Sequence, residues 1–197
     1  MRRWSKGNLE VLEIGASHVL LHPDGCVLVD CSDGVATLWE AMELPRQGPD
    51  AIVFTSGASR RVSGVYAFLS LLSGSPREKP LTLLLALANE RLPSLVAAWA
   101  QAEPSLGFPL EIEAEHPGAD LEVGPFRLRS FSVQHPNWGL AWRVDVEERV
   151  VAFAGEAMPG PGVEKACKGA ELCVLAGDHH RVEPDLTLWA CAPWRER

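Results

Sequence analysis

The 197-residue sequence has no apolar run of membrane-spanning length that escapes interruption by proline, glycine or charge, so no helical membrane span is expected. Its first residues, MRRWSKGNLEV, lack the apolar core of a secretory signal, and the expected location is the cytoplasm. An excess of positive charge is missing too. A net charge of −8 and a pI near 5.2 oppose extended binding to nucleic acid, whose phosphate backbone is held by clustered lysine and arginine. The five cysteines (Cys26, Cys31, Cys167, Cys173 and Cys191) are odd in number and show no CxxC spacing. Set mostly in apolar surroundings such as GCVLVDC and ELCVLA, they read as buried thiols. Internal repeats, low-complexity tracts and long linkers are absent, which leaves a single domain over 1–197 as the expected organisation. What is there suits that size: 47% of residues are hydrophobic and 22% charged, enough for one core that buries roughly 70% of the unfolded surface.

Hydrophobic periodicity gives the order of elements. Short strands are expected over 9–14, 18–21 and 26–29, then a turn over 30–34 and a helix over 35–44, with Leu38, Trp39 and Met42 on one side and Pro45 at its end. A strand over 51–54 runs into a glycine-serine turn and a helix over 62–72 that Ser59 or the adjacent loop can cap. A strand over 81–85, a helix over 90–102 and strands over 110–115, 126–133, 140–146 and 150–154 complete the pattern. Hairpins, then β-α-β-α, then hairpins again suit an α/β (α+β) sandwich better than a barrel or a doubly wound sheet.

The most telling segment is AIVFTSGASRRVS, where strand, small-residue turn and helix follow one another. Together with LVDCSDG before it and FRLRSFSVQHPNWGLAWRV, VVAFAGEA, GAELCVLA and LTLWACAPW after it, the order resembles the ribonuclease Z branch of the metallo-β-lactamase fold. That resemblance implies an αββα sandwich, trimmed, with one helix missing near the C-terminus and with the long basic arm for tRNA absent. The family carries T-H-x-H-x-D-H at the turn. Here the matching residues are Thr55, Ser56, Ala58, Arg60 and Arg61.

Carried across residue by residue, the resemblance leaves little of a two-zinc centre. His135 is retained as a ligand position, Glu156 stands for the bridging Asp, Asp30 lies in the D-C turn, and Ala190 falls where the final His belongs. A hydrolytic zinc needs about three protein ligands and an open position, and two arginines repel a cation; no metal cofactor is therefore expected. Arg60 and Arg61 are expected to neutralise Asp30, Glu156 and Asp33, which would otherwise face one another. A sharper reading makes Ser56, Gly57, Ser59, Arg60 and Arg61 an anion site for a phosphate or carboxylate. A minority alternative lets Asp178, His179 and His180 join His135 and Glu156 around a metal. His18, His22 and His116 read as surface or turn residues.

The leading functional expectation is a metal-free pseudoenzyme that serves as a binding or interaction module. Alternatives are a phosphoester hydrolase with an altered site and a structural oligomer subunit. For the hydrolase, Ser56, Ser59 and Cys31 are the nucleophile candidates and His135 the base, or His135 and Glu156 activate water against an Arg-bound phosphate. Trp138, Trp142, Trp189 and Trp194 line the segments of the rim, with core as their default place. A homodimer or a pairing with another protein is the expected way to cover sheet surface left by the missing helix.

Overall fold

A computed structural model of the chain describes residues 2–86, 94, 96–98, 106–135, 138–176 and 187–191, with Ala86, Ala176 and 187–191 described as backbone alone. Two sheets face each other. The first has seven strands in sequence order: β1 Arg3–Lys6, β2 Leu9–Ile14, β3 Ser17–His22, β4 Gly25–Val29, β5 Ala51–Val53, β6 Leu81–Ala86 and β7 Leu110–Glu115. Its first half is antiparallel, and from β4 onward the pairs are parallel, because helical connections replace hairpins there. The second sheet has β8 Asp120–Val123, β9 Phe126–Val133, β10 Gly139–Val146, β11 Arg149–Gly155, β12 Leu172–Ala176 and β13 Thr187–Cys191 in order 13-12-11-10-9-8.

Alternating strand residues divide between three apolar layers, as a period of two requires. Leu9, Val11, Leu20, Val27, Val29 and Val53 meet Leu128, Trp142, Val144, Val151 and Phe153 between the sheets. On the outer face of the first sheet, Leu12, Ile14, Leu28, Ile52 and Leu83 pack under α1 (Val35–Ala41) and α3 (Val65–Ser73) through Trp39, Phe68 and Leu69. The outer face of the second sheet, Ala141, Ala152, Cys173 and Leu175, is covered by α4 (Pro161–Cys167) through Val163 and Ala166. Helices outside, sheets inside: the arrangement is an αββα sandwich. Among the described residues, no helix is long and apolar enough to cross a membrane.

Several expectations shift. The helix expected over 62–72 is two pieces, α2 (Ser59–Val62) and α3, neither capped by a side chain. The break falls at Gly64, whose N–H donates to the Cys31 carbonyl at 2.9 Å. A side chain there would come within 2.0 Å of the Ser32 carbonyl oxygen, so only glycine allows this crossing. In α1 the buried residues are Val35 and Trp39, while Leu38 is exposed, and the helix ends at Ala41 rather than 44. Strands β1 and β8 and helix α4 were not foreseen; β1 and β8 are only four residues long, so that one apolar residue in RWSK (Trp4) and two in DLEV (Leu121 and Val123) are all that mark them, each half-buried against the inter-sheet core. The helix expected over 90–102 lies largely outside the described residues, as does the 177–186 segment from which a helix was expected to be missing.

His18 is a correction with a consequence. Expected at the surface, it is buried on β3 with its ring 5.5 Å from that of Phe153. Burial and the nearby Arg61 push its pKa down to about 3. The unfolded chain therefore binds a proton near pH 6.5 that folded His18 refuses, and stability is lost as pH falls through that range. Urea unfolding between about pH 7 and 4 should show a loss of up to about 1.4 kcal/mol per pH unit from this residue; His18→Gln should flatten the slope by that amount, and an unchanged slope would contradict it.

Candidate functional site

The C-terminal ends of the central strands of both sheets converge on one cluster. β4 ends at Val29 and delivers Asp30, whose φ of 60° turns its carboxyl inward. The next parallel strand, β5, leads to Thr55, which clamps that carboxylate: its N–H donates to Oδ1 at 2.8 Å and its hydroxyl reaches Oδ2 at 2.8 Å. Thr55 is fixed in turn by Leu140, whose N–H donates to the Thr55 carbonyl at 2.9 Å, while Ser56 bridges to Gly139. From the second sheet, β11 ends at Gly155 with φ 55°, and a side chain there would collide with the Thr55 hydroxyl at 2.5 Å. Glycine at that point lets Glu156 enter beside Asp30.

Arg61 lies between the two acids and is buried. Its Nη1 is 3.3 Å from Asp30 Oδ2 and donates to the Ala16 carbonyl, and its Nη2 donates to Glu156 Oε1 at 2.8 Å. The Cys31 N–H holds the Arg61 carbonyl at 2.7 Å, so α2 is tied to the Asp30 turn by backbone as well as by charge. Arg60, 39% exposed, donates to the other oxygen, Glu156 Oε2, from the solvent side. His135, just beyond β9, brings Nε2 to 3.9 Å from the same oxygen. Burial, with Arg60 and Arg61 adding to it, lowers the His135 pKa and favours the neutral ring. Burial raises the Asp30 pKa, while Arg61 and the Thr55 donors pull it back.

Asp30, Arg60, Arg61, His135 and Glu156 are thus brought together as the sequence suggests. Asp33 is not; it is exposed. Ser56 is buried, and its Oγ accepts from the Ala58 N–H at 3.4 Å, while Gly57 and Ala58 are half-buried and Ser59 is exposed at the rim. Cys31 is a buried thiol that burial pushes to a higher pKa, the reverse of an activated nucleophile. Trp138 stands 66% exposed at the rim with Met158 nearby in exposure, while Trp142 is core and donates its indole N–H to the Phe54 carbonyl at 2.9 Å. Ala190 lies on β13, described by its backbone. Asp178, His179, His180 and Trp194 lie outside the described residues. The Ala16 carbonyl was missed, since a backbone acceptor leaves no mark in a sequence; the double clamp by Thr55 could have been suspected from a threonine at the end of a strand next to an acidic turn.

The zinc pair that this fold implies does not fit these residues. Both oxygens of Glu156 accept from guanidinium groups, and Arg61 puts a fixed positive charge between the two carboxylates. Among the described residues, no group of three or more His, Cys, Asp or Glu side chains could hold a metal ion.

No protein-family model matches the sequence, and no curated protein matches it. Solved structures do match. Human tRNase Z, short form (ELAC1), superposes with a TM-score of 0.66 at 16% identity over 84% of this chain and 69% of that one. YhfI from Bacillus subtilis, a metallo-β-lactamase fold protein, gives 0.65 at 14% identity over 80% of this chain and 61% of that one. This chain has the metallo-β-lactamase fold. A diphosphatase of the PhnP family is similar too, at a TM-score of 0.60 and 17% identity over 85% of this chain and 62% of that one. The chain spans 61–69% of the length of these metallo-β-lactamase fold neighbours.

The two arginines differ in what they hold up. Arg61→Ala would leave Asp30 and Glu156 buried and under-compensated, and should lower the unfolding free energy by about 3–5 kcal/mol. Arg60→Ala, at a solvent-screened position, should cost about 1 kcal/mol or less. Urea unfolding of the two variants side by side checks the ranking, and equal losses would contradict it.

Proposed function

We propose that this protein is a metal-free relative of the ribonuclease Z-like hydrolases that acts as a binding or interaction module. The observation that carries this reading is the engagement of Glu156 by both arginines, with Arg61 also paired to Asp30. Two guanidinium charges face two carboxylates beside a neutral imidazole, so the cluster balances without a metal. A guanidinium can bridge carboxylates, but it does not lower the pKa of a bound water as zinc does. Arg60 is the member open to solvent, and a small anion such as phosphate would compete with Glu156 for its outer donors, with Gly57 and Ser59 at the rim. The proposed setting is cytoplasmic, and a second copy or another protein is the proposed partner at the rim.

A second reading is a phosphoester hydrolase with an altered site. It is favoured by the neighbours themselves, a tRNase Z and a diphosphatase among them. In that case His135 would take a proton from water while Arg60 holds the phosphate, Glu156 having moved aside.

Metal analysis of protein purified without chelator, paired with turnover of bis(p-nitrophenyl) phosphate with and without added Zn²⁺ or Mn²⁺, separates the two. The proposal expects less than about a tenth of an equivalent of metal and no turnover under either condition. About one or two equivalents with metal-dependent turnover would overturn it and favour a site rebuilt from His135, Glu156, Asp178, His179 and His180. In the same preparation, Arg60→Ala should abolish any phosphate binding seen by calorimetry while keeping the fold.

A further inference from the structure

The two helices that cover the first sheet leave a cleft of about 680 Å³ between the end of α1 and the end of α3. No residue of the Arg60–Glu156 cluster lines it. Its volume lies within the range of small-molecule sites, about 300–1,000 Å³. Trp39 and Leu44 form the α1 side of the wall, and Leu71 and Leu72 form the α3 side. These walls are set by packing within the chain. Trp39 meets Phe68 edge-on with ring centroids 5.0 Å apart, and its indole N–H donates to the Pro45 carbonyl at 3.0 Å. The Leu44 N–H donates to the Trp39 carbonyl at 3.1 Å, while the Ser75 N–H and hydroxyl both donate to the Leu72 carbonyl, at 3.0 and 2.6 Å. Both helix ends are thus closed by their own chain, and the cleft between them is preformed.

The rim carries three charged side chains, Glu40, Glu43 and Arg46, all exposed. Among the described residues, none of the three has a hydrogen-bond or ion-pair partner for its side chain, so Arg46 neutralises neither acid. Two carboxylates to one guanidinium leave the rim net negative. Both helices also contribute their C-terminal ends to the cleft, the ends that carry partial negative charge. An anion would meet one cation against two acids. A neutral apolar molecule would fill the walls and make no use of the carboxylates. The occupant that answers to walls and rim together is a cation on an apolar body, and the charge of −8 on the whole chain favours its approach.

We propose that this cleft binds a small organic cation, a primary amine carried on an aromatic or branched apolar body. The ammonium sits at Glu40 and Glu43, whose carboxylates accept from its three donors. The body lies against Trp39, Leu44, Leu71 and Leu72, where it leaves water. Arg46 opposes the bound charge and sets a limit on affinity. Since the cleft shares no residue with the arginine cluster, this inference stands independently of the proposed function.

The test uses tryptamine as the probe, with indole-3-acetate and indole as the same ring system carrying the opposite charge and no charge. Each is titrated at low ionic strength into isotope-labelled protein, and amide shifts are followed by two-dimensional NMR. The expected result is saturable shifts confined to 39–46 and 71–76, with tryptamine bound at least about tenfold more tightly than either analogue. The double substitution Glu40→Gln with Glu43→Gln removes exposed charges only, and should weaken tryptamine about tenfold without altering the rest of the spectrum. Arg46→Gln should act in the opposite direction and tighten tryptamine about twofold to fivefold, which keeps the test open should the double variant fail to fold. Equal binding of the three probes, tryptamine affinity unchanged by the Glu→Gln pair or weakened by Arg46→Gln, shifts centred on Arg60 and Glu156, or no saturable shift up to about 10 mM tryptamine would each overturn the proposal.

Discussion

The Arg61 guanidinium between Asp30 and Glu156 is the contact that joins the working ends of the two sheets. Asp30 comes from β4 and Glu156 from β11, so one buried cation bridges elements 126 positions apart in the chain (156 − 30). Desolvating an arginine and two carboxylates costs several kcal/mol per ion, and only their mutual attraction and added donors offset it. The donors are supplied locally: Thr55 gives two to Asp30, and Arg60 gives Glu156 its second partner. Charge parity then makes the cluster self-contained. It also explains why a neutral His135 suits the position, because an imidazolium there would face two guanidinium groups.

The backbone around the cluster is shaped to permit that contact. Gly155 lets β11 pass against Thr55, Gly64 lets the α2–α3 junction cross the Asp30 turn, and Gly139, whose added side chain would meet His135 Cβ at 2.9 Å, admits the end of β9. Asp30 itself adopts a left-handed conformation, which costs a non-glycine residue of order 1–3 kcal/mol. Its partners hold it there. The strand ends that carry the site are anchored by the inter-sheet core, where Trp142 is fully buried and donates its indole N–H to the Phe54 carbonyl.

Much of the sandwich could be read from sequence because its central strands are continuous or alternating apolar runs: 9–14, 26–29, 51–54 and 81–85 all correspond to strands, and the order of hairpins and β-α-β units is as read. The elements that escaped are those too short for a pattern to stand out. RWSK and DLEV are four-residue strands held by pairing to a neighbour, the latter with the Arg127–Asp120 cross-strand pair, and by only one or two half-buried apolar side chains each, Trp4 in the first and Leu121 and Val123 in the second. The break at Gly64 depends on a carbonyl from another loop. At the site, the identity of the charged residues was legible, but not their division of labour: adjacent Arg60 and Arg61 read alike in sequence, whereas one is buried between two acids and the other faces solvent. Asp33 and His18 show the same limit, since one residue of strand or turn register decides between interior and water.

Likeness of fold carries the positions of the site further than its chemistry. In this sandwich the strand ends fix where Asp30, Thr55, His135 and Glu156 stand, and those places belong to the architecture. What fills the space between the carboxylates is set by the turn after β5. A metal ion there would bring concentrated charge and an open coordination position, which together polarise a phosphoryl oxygen and ionise water. Guanidinium groups bring the charge spread over a plane of donors, some of them already engaged by the acids they face. The acids are stabilised either way, so the fold tolerates the exchange. Catalysis of the metal-dependent kind does not follow from a preserved outline, and the residues of the turn, more than the superposed sheets, decide what this pocket can do.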